Sequence, residues 1–231
     1  MEADSFLLYY IKRRIESGDA GLQWSEAPYC GEEDDGTVPC GWLAVEQAAL
    51  NFESDNRDQI EHELNQLAKG VRGRSVINFS AFKNVVDTYF KLLQSRLKQN
   101  AENLCVPLLA LIAFTGMFSR RLAEMDANEH ILREQNRRDF RHEIYLLSIY
   151  GPVMFRSKLD TLTTSDNSYS WDRFCSDSHK LLEHISFCKK RAEASAALLS
   201  TSSRVGVVVL CGLAAAAAAY FLIVRRYAEA I

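Results

Sequence analysis

From Leu104 to Phe118 the chain runs for 15 residues that are apolar throughout except for Thr115. An amphipathic surface helix needs a polar face, and this stretch has none. At 1.5 Å rise per residue it is also too short to cross a bilayer comfortably. The segment is therefore expected to be the buried central helix of an all-α bundle, closed by Arg120 and Arg121, with the rest of the domain wrapped around it.

The remaining sequence supplies the wrapping. Leu7, Leu8, Ile11 and Ile15 recur at helical spacing over Ser5 to Ser17, and Gly18 and Gly21 end that run before Trp24. Pro28 to Gly41, with the acidic patch Glu32 to Asp35, reads as a loop. Trp42 to Leu67 carries Trp42, Val45, Ala48, Ala49 and Phe52, then Ile60, Leu64 and Leu67, with an interruption expected near Ser54 to Asn56. Gly70 to Ser75 is a break, and Phe79 to Leu97 is again helical with a broad apolar face. Helical pattern resumes over Ile131 to Leu162, with a break expected at Gly151-Pro152, and from Trp171 to Lys190. No alternating strand pattern, internal repeat or long low-complexity tract is present.

A second apolar stretch has a different character. Val205 to Val224 is 20 residues without a charge, flanked by Arg204 and by Arg225-Arg226. At helical rise that is roughly 30 Å, the thickness of a hydrocarbon core. It is expected to be a transmembrane helix that inserts as a tail anchor, leaving the domain of residues 1–191 in the cytosol and residues 192–204 as a Ser/Ala-rich linker. The moderate hydrophobicity of the Ala214 to Ala219 run and the short basic flank fit a mitochondrial outer membrane, with the endoplasmic reticulum as the alternative.

Other functions fit poorly. A net charge of -3 gives no clustered cationic surface for nucleic acid. Six scattered cysteines without a C-x-x-C pair suit a reducing compartment. The five histidines lack a ligand-spaced partner, so no metal or other cofactor is expected, and no nucleophile elbow or phosphate-cradling loop points to an enzyme. Gly70-Val71-Arg72-Gly73 fits a basic turn better than an RNA clamp, because the strands such a clamp requires are missing.

Four stretches, in order, resemble the homology motifs of the Bcl-2 family of apoptosis regulators. Phe6 to Glu26 is similar to the fourth motif, a short apolar helix followed by a Gly-containing break and Trp-Ser. Val45 to Phe52 has the third motif's spacing. Ala81 to Phe90, followed by Leu108 to Phe118, resembles the helix before the first motif and then that motif's central helix. Ser170 to Phe174 resembles the Trp-Asp-x-Phe of the second motif, through Trp171, Asp172 and Phe174. Two departures stand out: Pro107 occupies the place of the first motif's arginine, and Leu50 that of the third motif's aspartate.

The resemblance implies a groove that accepts an amphipathic helix of a pro-apoptotic partner, lined by Phe52, Ile60, Leu64, Val85, Tyr89, Ala110 and Phe114. Taken one at a time, such residues are more often core than groove. The implied role is pro-survival capture of death-promoting helices, with a Bax/Bak-like executioner and a non-apoptotic tail-anchored adaptor as alternatives. Homo- and heterodimers remain open.

Overall fold

The computed structural model describes residues 2–17, 38–69, 77–97, 104–129, 140–162 and 169–199. Among these are seven α-helices: α1 (Glu2–Glu16), α2 (Cys40–Asp55), α3 (Arg57–Lys69), α4 (Phe79–Leu97), α5 (Cys105–Glu129), α6 (Phe140–Leu162) and α7 (Trp171–Leu199). The described residues contain no strand. Residues 205–224, the Gly70 to Ser75 turn, most of the Pro28 to Gly41 loop and the Gly-containing break with its Trp-Ser lie outside them.

Helix α5 is the axis. Every residue from Leu108 to Ser119 is buried, and α1, α2, α3, α4, α6 and α7 all pack on it. Its two buried hydroxyls turn inward on the helix itself: Thr115 donates to the Leu111 carbonyl at 2.8 Å and Ser119 to that of Gly116 at 2.8 Å. α5 could span a membrane by length and composition, but it is mostly buried in the bundle, as a core helix is.

Three boundaries differ from the sequence expectation. Arg120 and Arg121 do not close α5, which continues to Glu129. Both arginines pair with Glu124 on the next turn, while Leu122 and Ala123 carry the buried stripe onward. Gly151-Pro152 does not break α6. The ring removes one backbone donor, but Leu147, Phe155 and Leu159 on either side are buried and hold both halves in line. The last helix does not stop at Lys190 but reaches Leu199, so the segment expected as a linker begins inside α7. The interruption near Ser54 to Asn56 is present: Asn56 separates α2 from α3, its side-chain amide and backbone N–H both donating to the Phe52 carbonyl.

Helix α4 is held at its start by two side chains. Asn78 accepts the Ala81 N–H at 2.8 Å, and Glu143 from α6 accepts the Phe79 N–H at 2.7 Å. These satisfy donors that the first turn leaves unpaired and place negative charge at the positive end of the helix dipole.

Candidate helix-binding site

Helices α3 and α4 both lie on α5 but share little contact with each other, so α5 forms a floor between two walls. The seven residues expected to line a groove lie on α2, α3, α4 and α5. Ile60 and Leu64 are buried on α3, Tyr89 on α4, and Ala110 and Phe114 on α5. Phe52, at the end of α2, and Val85, on α4, are half-buried. In the free chain the walls and floor therefore close largely on themselves.

Aromatic contacts explain the closure. Phe114 stacks on Phe82 with ring centroids 6.1 Å apart and planes 5° from parallel, and Phe118 lies 5.1 Å from Phe82. The Tyr89 hydroxyl donates to the Pro107 carbonyl at 2.6 Å, fastening α4 to the first turn of α5. The backbone of the residue standing in place of the first motif's arginine is thus occupied by a neighbouring helix.

The second-motif residues do something different. Phe174 is fully buried, and Trp171 is half-buried against Phe6 at 5.3 Å and Phe174 at 5.4 Å. Trp42 meets Phe6 edge-on at 5.8 Å. The cluster joins α1, α2 and α7, so Trp171 and Phe174 act in packing rather than as a groove wall. Asp172 is exposed in the first turn of α7, where its charge suits the helix dipole.

Sequence reasoning missed a polar clasp between α1 and α2. The Tyr9 hydroxyl donates to Glu46 at 2.9 Å and Arg13 donates to the same carboxylate at 3.3 Å. Two turns further along α2, Arg14 pairs with Glu53, both side chains nearly buried. The Tyr10 hydroxyl, Arg14 Nε and the second oxygen of Glu53 are buried without a hydrogen-bond partner among the described residues. Burial holds Glu53 above the ordinary carboxylate range despite the opposing pull of Arg14. The signal available in the sequence was Glu46 and Glu53, seven residues apart on an otherwise apolar stripe.

Gly116 of α5 lies under this clasp. A Cβ there would sit 2.7 Å from Tyr10 Cε1 and 3.0 Å from Arg14 Cγ, so α1 approaches α5 only because this residue has no side chain. Beside the clasp, a cleft of about 220 Å³ opens between the end of α2, α3 and the second half of α5. Leu64 and Met117 form its apolar part, and Glu53, Arg57, Glu61, Arg120, Arg121 and Glu124 its charged surround.

A second buried polar group ties α5 to α7. The Cys105 thiol lies 3.6 Å from the Ser178 hydroxyl, which donates to the Phe174 carbonyl at 2.8 Å. Burial pushes the thiol up to about 11, so it stays protonated. Among the described residues no group of His, Cys, Asp and Glu converges as a metal site would.

Comparison with known proteins places this architecture. The chain matches a solved structure described as a CED-9/EGL-1 complex, a Bcl-2-family protein with its partner, at a TM-score of 0.55 over 80% of this chain and 95% of that one. The fold is the Bcl-2 fold. Sequence identity over that match is 20%. No family model and no curated protein matches the chain. Within the Bcl-2 fold, Cys105 to Phe118 of the apolar stretch form the first part of the central helix α5, as its composition implied.

Proposed function

We propose that the chain is a Bcl-2-family regulator of apoptosis, a binding protein rather than an enzyme, that takes up an amphipathic helix of a pro-apoptotic partner between α3 and α4 over α5. The observation that carries this reading is the floor-and-walls arrangement of those three helices within a fold shared with a chain solved in complex with EGL-1. An incoming helix would place apolar residues one turn apart against Phe52, Ile60, Leu64, Val85, Tyr89, Ala110 and Phe114. Each fully buried anchor contributes roughly 1.5–3 kcal/mol before ordering costs are subtracted. Pro107 offers no cation to a partner's acidic residue, so affinity rests on apolar contact.

We assign it a pro-survival sign, because Leu50 in place of the third motif's aspartate makes α2 a poor helix donor to other members. The charge-free segment 205–224 supports a tail anchor, most simply in the mitochondrial outer membrane. A Bax/Bak-like executioner is the second reading, favoured by one observation: α5 is long and apolar enough to cross a membrane if released from the bundle.

Titration of the full-length chain in detergent with a panel of helix peptides from pro-apoptotic Bcl-2-family proteins tests the site. Val85→Asp, at a half-buried position, is expected to weaken binding at least tenfold without unfolding the chain. Absence of binding to every peptide would refute the site. Expression under a death stimulus tests the sign: survival supports the first reading, and killing without a stimulus the second.

A further inference from the structure

Three of the most exposed large hydrophobic side chains among the described residues sit close together on α6: Tyr145 at 46%, Tyr150 at 53% and Val153 at 62%. α6 takes no part in the candidate groove, whose residues lie on α2, α3, α4 and α5. From Ile144 to Phe155 the helix carries no charge. Its inner side is occupied: Leu147, Phe155 and Leu159 are buried, and α1, α4 and α5 pack on the helix. Its outer side is bare. At about 100° per residue, Tyr145, half-buried Ile149 and Val153 fall within about 80° of the helix circumference, with Tyr150 on their flank. The exposed side chains of His142 and Asp160 continue that line at its two ends. A single exposed apolar residue is ordinary, but a continuous apolar stripe with a polar group at each end is the form of a contact surface.

The polar ends indicate what covers it. One end offers an imidazole and the other a carboxylate, so the stripe is complementary to itself when reversed. His142 and Asp160 are each nine residues from Gly151, and Ile149 and Val153 each two. A second copy laid antiparallel, with the twofold axis level with Gly151, brings Ile149 opposite Val153 and His142 opposite Asp160. The same register brings the Tyr145 ring to Arg156, which pairs with Asp4 at the edge of the face. A parallel copy would instead set Asp160 against Asp160 and Arg156 against Arg156.

We propose that the outer face of α6 is a self-association surface on which a second copy of this chain docks antiparallel. The stripe from His142 to Asp160 is about 28 Å long and one helix wide. A contact of that size falls short of the roughly 1,200–2,000 Å² buried in a stable complex, so the dimer is transient and its population rises with chain concentration.

The test uses the full-length chain in detergent carrying Val153→benzoylphenylalanine, irradiated over a range of protein-to-detergent ratios, with peptide mapping of any covalent dimer. Tyr150→benzoylphenylalanine is a second labelling position, and Leu43→benzoylphenylalanine on α2, 48% exposed, controls for random collision. Expected are dimers at positions 153 and 150 that join α6 of the second copy, exceed those at position 43 several-fold and increase with the protein-to-detergent ratio. His142→Asp places carboxylate against carboxylate and should cut the yield several-fold, and adding Asp160→Lys should restore it. Both changes suit the helix dipole, an acid in the first turn and a base in the last, so α6 itself is not weakened. Monomer alone at both positions, joins to a part of the second copy other than α6, or a yield no greater than at position 43 overturns the surface. Dimers through α6 that are indifferent to His142→Asp, or that Asp160→Lys fails to restore, overturn the antiparallel docking.

Discussion

Gly116→Ala is the sharpest probe of how α1 is seated. Alanine raises helix propensity by about 1 kcal/mol at an unconstrained position, so the substitution would stabilise a helix with open space beside it. Here the new methyl would stand 2.7 Å from the ring of Tyr10 and 3.0 Å from the Arg14 stem. Tyr10 is fully buried between Phe6, stacked at 5.9 Å, and the floor of α5, so the ring has nowhere to swing. Overpacking of a closed core costs typically 1–3 kcal/mol, and displacing Arg14 also disturbs its buried pair with Glu53. The net expectation is a loss of about 1–2 kcal/mol, read as a fall of roughly 0.5–1 M in the urea midpoint of the full-length chain in detergent. Combining it with Tyr10→Leu, which removes the clashing atom, should recover at least about 1 kcal/mol relative to additivity. A Gly116→Ala chain as stable as the parent or more so would refute the close approach, and an additive double mutant would refute Tyr10 as its cause.

Three further outcomes follow from the same contacts. Gly41→Cys should form a disulfide with Cys175 on mild oxidation, because the ideal Cβ at Gly41 lies 3.3 Å from Cys175 Cβ, a few tenths short of ordinary disulfide geometry; non-reducing electrophoresis after cyanogen bromide or protease cleavage reads the cross-link. The clasp and the α4–α6 seam should answer pH with opposite signs. Glu53, held above its ordinary value of 4.5 by burial, binds a proton more readily folded than unfolded, so its contribution improves as pH falls from neutral toward 4.5, and Glu53→Gln should remove that gain. Burial acts to raise Asp87, but Lys158 and Lys83 outweigh it and lower its pKa below 3.8. Its stabilisation is therefore complete above 3.8 and lost as pH falls through the depressed value, so Asp87→Asn should destabilise at neutral pH and converge with the parent in acid, as paired urea titrations would show. Finally, Cys105, buried and protonated, should resist a maleimide until global unfolding, while half-exposed Cys188 labels in the native state, as peptide mapping would show.

The central helix and the all-α class were legible because Leu104 to Phe118 leaves no polar face for a surface helix to present. The α2–α3 junction was legible because Ser54 to Asn56 interrupts the apolar stripe with residues that favour caps. Two ends were misread for one reason: Arg120-Arg121 and Gly151-Pro152 look like terminators locally, yet neighbours supplied by other turns and helices keep the chain helical through them. The candidate groove was named from the resemblance rather than from pattern. At helical spacing Phe82 and Phe114 read more often as core than as groove, and in the free chain they are buried. The Glu46 and Glu53 clasp escaped notice because its partners Tyr9, Arg13 and Arg14 are more than thirty residues away, beyond any local periodicity.

Closure of the site sets how tightly a partner can bind. Ile60, Leu64, Tyr89, Ala110 and Phe114 are already buried, so an arriving helix must first lift α4 from α5 and gains only what exceeds the cost of doing so. An opening cost of about 3–4 kcal/mol lowers apparent affinity by roughly two to three orders of magnitude relative to a preformed groove. Tyr89 offers a way to measure this. Its hydroxyl donates to the Pro107 carbonyl at the start of α5. Tyr89→Phe keeps the ring and removes a bond worth about 0.5–1.5 kcal/mol. If that bond fastens the closed state, the variant should be less stable by that amount and yet bind partner helices about two- to tenfold more tightly, because opening has become easier. Calorimetric titration alongside urea unfolding separates the two effects. If affinity and stability fall together, the Tyr89 hydroxyl supports the bound state rather than the closed one, and the groove is not governed by opening at α4.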